Sequence, residues 1–385
     1  MQRNLDINKD VMKVLILDLL NDFCAHLHTG SVKLADAARK EDHNGKWLLD
    51  SLVTYQAASI LATMFSIPKD VEPFILFEKT SLDSWANIVC EHVKNESPDI
   101  VFFTSGTTGK RKAIAHSLES LIDEAQDWIS LMGDIEHIFI NVPRHHIYGF
   151  IWGLIIPSLA KCEVIDYRAC LINTNKLSKN ALIVSTPHAS ALLTSNPELG
   201  NTGASVVLST SPCDHKLLTD LKMEGYKNAY HVYGSTETGG IGYRTQDSLR
   251  FSLCANISEK LGVLYRNANE LPVQDKLEFF EDSTFSVISR FDKAIQIRGY
   301  NVNMDALEAF ILQQAFVNDV GLRISGEEEQ KYLEVLVQAT HISKANAVVE
   351  EIMRQYGNII HTNNIRIVDG SIRNSLGKLV FGSIN

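Results

Sequence analysis

Residues 104–112 read Thr-Ser-Gly-Thr-Thr-Gly-Lys-Arg-Lys and close a strand-like run, Asp99–Thr104. Gly106 and Gly109 let the backbone turn its N–H groups inward as an anion-binding concavity. Thr104, Ser105, Thr107 and Thr108 add hydroxyl donors, and Lys110 and Lys112 supply charge. Triphosphate is the natural guest of such a loop. It is not a GxxxxGK[ST] loop, because Gly109 follows Gly106 too soon. A solvent-exposed polar turn is the plain alternative for this segment taken alone.

Three further segments lie downstream: Tyr233-Gly234-Ser235-Thr236-Glu237, then Arg290-Phe291-Asp292 with Gln296-Ile297-Arg298-Gly299-Tyr300, then Ser375-Leu376-Gly377-Lys378. Together with the loop, in this order, they resemble the motifs of the adenylate-forming (AMP-binding) superfamily: TSGTTGxPK, YGxTE, GRxD…KxRG and PSGK. That superfamily includes acyl- and aryl-CoA ligases, adenylation domains of peptide synthetases and luciferases. The resemblance spans residues 104–378.

It implies a role for each matching residue. Thr104, Ser105, Gly106, Thr107, Thr108, Gly109 and Lys112 would bind the ATP phosphates, and Glu237 would hold Mg²⁺ beside them, a hard oxygen for a hard cation. Tyr233 would stack on adenine, Thr236 would bond the α-phosphate, and Arg290 would reach ribose or phosphate. Asp275, 17 positions before Asp292, would bind the ribose hydroxyls, although Val273 and Gln274 replace the family's preceding pair. Asp292 would be the hinge and Gly299 part of the thiol-transfer segment. Lys378 would bridge the substrate carboxylate and the α-phosphate. A carboxylate is repelled by ATP, so charge must be neutralised and the two anions held in line.

Pro143-Arg144-His145-His146-Ile147-Tyr148-Gly149 resembles the PxFHxxG segment that places a histidine, here His146, beside the acyl group. Amino-acid-activating relatives carry an Asp there, so an aryl or fatty acid is expected rather than an α-amino acid. One buried and one exposed structural imidazole is the plainer alternative for His145 and His146. Ser209 and Ser211 stand where the family has a glycine–alanine turn, and with Gly234 they complete the expected acid pocket. Arg111, Leu376 and Asn303 depart from the pattern, and the part preceding the phosphate loop is short for the family. The expected reaction is ATP-dependent formation of an acyl-adenylate with release of pyrophosphate, then transfer to a thiol. The shortened start favours the phosphopantetheine of an acyl carrier protein; free CoA is the alternative acceptor, and a non-catalytic nucleotide-binding relative the further one.

These residues need a scaffold. From residue 99 to about 233, short runs (Ile138–Val142, Cys162–Asp166, Ala181–Ser185, Ser205–Ser209, Ala229–Tyr233) alternate with helical patterns, which predicts layered α/β structure. The clearest helix is Ser117–Met132, with an apolar stripe of Leu118, Leu121, Ile122, Ala125, Trp128, Ile129 and Leu131. Beyond residue 255, Lys276–Phe280, Thr284–Ser289, Ala294–Arg298, Asp319–Ile324, Tyr332–Gln338 and Ile365–Val368 read as strands, and Met304–Phe316 and Ala345–Gln355 as helices. The expectation is a large α/β domain over 1–290 with mixed sheets and a small α+β lid over 293–385, hinged near 292.

With 36 Lys+Arg against 46 Asp+Glu, the net charge of −10 gives no general attraction to nucleic acid or anionic lipid. The six cysteines form no CxxC pair, so neither a zinc site nor a disulfide framework is expected. The longest apolar stretch, residues 147–160, is too short to span a bilayer, which needs about 20 residues. Met1–Asp10 carries Arg3, Asp6, Lys9 and Asp10, so no signal peptide is indicated and a cytoplasmic location is expected.

Overall fold

Strands of four or five residues without a polar break cannot leave either face in water, so they demand cover on both sides. Ala181–Ser185 and Ser205–Leu208 are of this kind, and every residue in both is buried. The computed structural model describes residues 5–26, 51–68, 81–103, 112–167, 176–194, 197–211, 213–290, 295–326, 331–340 and 345–372. Helices α1 (Lys9–His26), α2 (Ser51–Met64) and α3 (Leu82–Glu96) precede the antiparallel pair β1 (Asp99–Phe103) and β2 (Ala113–Ser117). Then come α4 (Leu118–Met132), β3 (His137–Ile140), a helix α5 over 147–160, β4 (Glu163–Asp166), β5 (Ala181–Ser185) and β6 (Ser205–Leu208). They are followed by α6 (His215–Met223), β7 (Ala229–Ser235), β8 (Gly239–Thr245) and β9 (Phe251–Leu253). β10 (Ile257–Lys260), β11 (Val263–Arg266) and β12 (Asn269–Glu270) form a small sheet of their own. Next come β13 (Asp275–Phe279) and β14 (Thr284–Arg290).

The main sheet runs β13-β14-β9-β8-β7-β6-β5-β3-β4. Pairing is parallel from β4 through β3, β5 and β6 to β7, and antiparallel from β7 to β8, β9 and β14. Phe139, Ile183, Val206, Leu208, Leu218, Leu221 and Tyr226 form its core on the α6 side. α5 is α-helical at Ile147–Phe150 and Ile156–Ala160 but π-helical at Ile151–Ile155. That short π turn is wholly buried.

Two compact units emerge: residues 1–104, 113–273 and 278–286, and residues 105–112, 274–277 and 287–385. The second has its own core, built on β15 (Ile295–Ile297), β16 (Tyr300–Val302), α7 (Met304–Leu312), β17 (Val317–Ser325), β18 (Tyr332–Ala339), α8 (Ala345–Tyr356) and β19 (Ile365–Val368). Leu307, Val320, Leu333, Val337 and Ile352 lie at its centre. β18 pairs antiparallel with β17 and parallel with β19.

In the first unit three expectations need adjustment. Asp99–Phe103 is a strand but pairs with β2 rather than joining the parallel run. Ser117 is the N-cap of α4, not its first turn, and its hydroxyl accepts the Ser120 N–H at 3.2 Å. Ile129 and Leu131 are only half-buried, whereas Glu124 is buried on the same helix.

Candidate active site

In open α/β sheets the crevice for a ligand lies at the carboxyl ends of the strands, where successive connections leave in opposite directions. Here β3 leads to β4 on one side and the chain returns to β5 on the other, so the switch falls between β3 and β5. The Pro143–Gly149 segment follows β3 at that edge. Gly149 is required there, because an added Cβ would sit 2.0 Å from the Pro143 carbonyl oxygen. From the first turn of α5 the Tyr148 hydroxyl reaches the Val207 carbonyl at 2.9 Å and the Ser185 carbonyl at 3.3 Å, across the ends of β5 and β6. Burial raises the Tyr148 pKa well above the phenol value.

His145 is buried and His146 exposed, their rings tilted with centroids 4.1 Å apart. The segment is gripped from α1. Asp18 accepts the Arg144 N–H at 2.9 Å and lies 3.6 Å from the Arg144 guanidinium, and Asp22 lies 3.5 Å from His145 Nε2. Burial raises the Asp18 pKa, against the opposing pull of Arg144.

Ser209 and Ser211 flank the end of β6. The Ser209 hydroxyl donates to the Val232 carbonyl at 3.0 Å, which fixes this turn against β7. Thr210 between them adopts φ +78°, a region that β-branched residues avoid. Arg244 braces the far side: it donates to His231 Nδ1 at 3.2 Å and to the Cys213 carbonyl, and its guanidinium lies over the Phe251 ring.

Tyr233 ends the regular part of β7 and meets the rings of Phe251 and Phe285, each at 5.5 Å. A register shift follows at Tyr233/Gly234. Gly234 is needed because a Cβ would lie 2.2 Å from the Gly239 carbonyl oxygen. Thr236 and Glu237 are half-buried in the turn beyond, which Thr238 closes by accepting the Ser235 N–H at 3.1 Å. His116 Nε2 donates to the Thr236 carbonyl at 2.7 Å. Burial lowers the His116 pKa, so the ring is a neutral donor.

The first unit therefore collects Tyr233, Gly234, Thr236 and Glu237 at the end of β7, and Ser209 and Ser211 beside them at the end of β6. His146 follows β3 at the same edge. Lys112 is exposed, and Asp275 is half-buried at the start of β13. Arg290 ends β14. Gly299 sits at φ +83° with Arg298 at +52°, a two-residue hairpin joining β15 to β16 of the second unit. Thr104, Ser105, Gly106, Thr107, Thr108, Gly109, Asp292 and Lys378 lie outside the described residues.

Sequence reasoning did not find His116, Glu124, Thr210, Arg244 or Arg266. A charged residue inside the α4 stripe, Glu124, was the one visible signal. As for a metal, no cluster of three or more His, Cys, Asp or Glu among the described residues could hold one. A half-buried carboxylate on a turn still fits Mg²⁺, which keeps waters and binds through one or two carboxylates plus substrate phosphates. No described helix is long and apolar enough to cross a membrane.

The 4-coumarate–CoA ligase of Cereibacter sphaeroides is 26% identical over 296 residues, covering 74% of this chain and 72% of the relative. That of Rhodobacter capsulatus is 27% identical over 309 residues, covering 74% and 77%. The solved structure of a double mutant of the o-succinylbenzoate CoA synthetase of Bacillus subtilis superposes with a TM-score of 0.60 at 14% identity, covering 96% of this chain and 91% of that one, a likeness of fold. Residues 13–268, more than half of the 385, match the AMP-binding enzyme family, and the chain belongs to it.

Proposed function

We propose that the protein is an ATP-dependent acid:CoA ligase acting on an aryl or fatty acid. The observation that carries it is the Tyr233–Glu237 segment, which leaves β7 at the carboxyl edge of the parallel strands, the same edge from which the Pro143–Gly149 and Ser209–Ser211 segments leave. The two 4-coumarate–CoA ligases support CoA as acceptor over the carrier-protein thiol that the short N-terminal part favoured.

In the first half-reaction a carboxylate oxygen of the acid attacks the α-phosphorus of ATP, the bond to the β-phosphate oxygen breaks, and pyrophosphate leaves. Tyr233 holds the adenine and Thr236 the α-phosphate; Asp275 and Arg290 take the ribose side, and the 104–112 loop the phosphate tail. Glu237 would hold Mg²⁺ beside that tail, where the ion would offset the phosphate charge. Lys378 neutralises the approaching carboxylate. His146, Ser209, Ser211 and Gly234 line the acid's seat, where an exposed imidazole in place of a carboxylate gives an α-ammonium group no partner. In the second half-reaction the thiol sulfur attacks the acyl carbon, AMP leaves with the C–O electron pair, and the thiol proton passes to solvent. We assign this step to the Gly299 segment after rotation about Asp292, with residues 1–290 and 293–385 as the two domains.

The test is acid-dependent ATP–pyrophosphate exchange across aryl and fatty acids, followed by mass spectrometry of the thioester with CoA and, separately, with a holo-carrier protein. Exchange with at least one acid and a CoA thioester are expected; no exchange with any acid rejects the proposal. Lys378→Ala should slow exchange about 10²–10³-fold, the typical effect of removing one preorganised donor.

A further inference from the structure

Glu237 lies on a turn whose neighbouring backbone groups are held by the half-buried His116 and the buried Glu124 and Arg266. The Thr236 carbonyl accepts from His116, and the Thr238 carbonyl accepts from Arg266 Nη1 at 3.0 Å. Arg266 Nη2 donates to the Gly240 carbonyl, and the Gly240 N–H donates to Glu124 Oε1 at 2.9 Å. Trp128 Nε1, one helical turn along α4, donates to the same oxygen at 3.2 Å. Glu124 Oε2 lies 3.2 Å from Arg266 Nη1, and the two residues are 4% and 3% exposed. Gly239 makes room: at φ +67°, a Cβ there would meet Glu124 Oε2 at 2.3 Å.

We propose that the buried Glu124–Arg266 pair positions the Thr236–Gly240 turn for adenylation, acting through that turn's backbone rather than on substrate. This rests on the proposed function of Glu237.

Two arguments separate positioning from simple stabilisation. A buried ion pair loses about as much in desolvation as it gains in attraction, so stability alone is a weak reason for one. Nor is the pair needed to dock the β10–β12 sheet on α4. Asp127 already accepts the Asn256 N–H at 2.8 Å, and Asp123 accepts from the Asn267 amide at 2.8 Å. What the pair adds is three fixed backbone groups on the limb leaving Glu237, while His116 fixes the limb entering it. His116 stands on β2 and Glu124 on α4, consecutive elements that begin directly after the 104–112 loop. One stretch of chain thus leads from the hydroxyl-rich loop to both anchors of the carboxylate turn. A carboxylate that must meet a cation and phosphates has to be held to a fraction of an ångström.

The test uses the full-length protein and three variants: Glu124→Leu with Arg266→Met, which replaces the pair by apolar side chains; Arg266→Lys, which keeps the charge but not the fork; and Trp128→Phe, which removes one donor to Glu124. Melting temperature is measured, and ATP–pyrophosphate exchange is followed against Mg²⁺, ATP and acid. The apolar pair should melt within a few degrees of the parent yet exchange at least tenfold more slowly, with half-saturation at higher Mg²⁺ and acid KM changed less than twofold. Arg266→Lys should likewise melt within a few degrees of the parent without the parent's rate. Unchanged kcat and Mg²⁺ dependence in a folded double variant overturn the proposal, as does a rate loss that merely follows the unfolded fraction. Should the double variant not fold, Trp128→Phe decides: a twofold or greater rise in the Mg²⁺ requirement supports positioning, and none rejects it. Should the parent itself show no exchange, the functional reading fails separately, and amide hydrogen exchange then decides. Faster exchange at Gly240 in Trp128→Phe supports the strut; unchanged protection rejects it.

Discussion

Thr210 adopts φ +78° next to Ser209, whose hydroxyl ties the end of β6 to β7, and a β-branched side chain in that region costs about 1–3 kcal/mol. Thr210→Gly should therefore raise stability by about 1 kcal/mol, the relief of strain exceeding the extra entropy of an unfolded glycine. Chemical denaturation of the two proteins checks this; a glycine variant less stable than the parent would place the strain elsewhere. His231 offers a test by pH. Burial, and then the Arg244 charge beside it, pull its pKa from 6.5 to about 3. The unfolded chain takes up this proton near pH 6.5 and the folded chain only near 3, so the unfolded state binds more protons between those values. The stability at stake is whole above about pH 6.5 and declines by up to about 1.4 kcal/mol per pH unit as pH falls toward 3. His116, also lowered by burial, shifts the balance in the same direction. Denaturant midpoints flat from pH 7 to 4.5 contradict this account. The motif segments stood out in the sequence because their residue types and order resemble those of one family. Thr210 and Arg244 did not, since neither a backbone angle nor a bond across β7 and β8 is written in local sequence.

α4 shows how an element serves a site. Ser117 ends β2 and caps the helix in the same residue, so strand and helix share a fixed joint. Ser117→Ala removes the acceptor for the Ser120 N–H and should cost about 1 kcal/mol. A thermal melt measures it, and an unchanged midpoint refutes the cap. Strands with unbroken apolar runs, such as β5 and β6, were readable because burial on both faces leaves no other explanation. β2 was not: its burial alternates between exposed and half-buried, and it precedes a strong helical stripe. β8 escaped because three glycines dilute its pattern, and the small β10–β12 sheet because its residues are largely polar. In the second unit, helix α7 stops at Leu312 rather than Phe316. Phe316 lies at φ +72°, which no continuing helix permits. The π turn in α5 was invisible, because an apolar run has the same composition in an α or a π winding.

At the scale of the molecule, two cores and a sheet of mixed sense were foreseeable in outline, as alternation of strand and helix followed by a change of texture near residue 255. Pairing order was not, because it depends on which strand the chain returns to after each crossover. The main sheet's change of sense at β7 bears on how the protein reaches its native state. β8 and β9 reach β7 by short reversals; β14 beyond them and the strands on the other side of β7 require tens of residues to be looped out before a single partner is met, a cost in chain entropy incurred before any contact offsets it. Refolding should begin at the β7–β8 hairpin and spread toward β3 and β4. In pulse-labelling, amides of Gly242 and Tyr243 should be protected before those of Ile138 and Val184, and the reverse order would assign nucleation to the other half. The segment bearing Tyr233 and Glu237 would then be among the earliest parts of the chain to take shape.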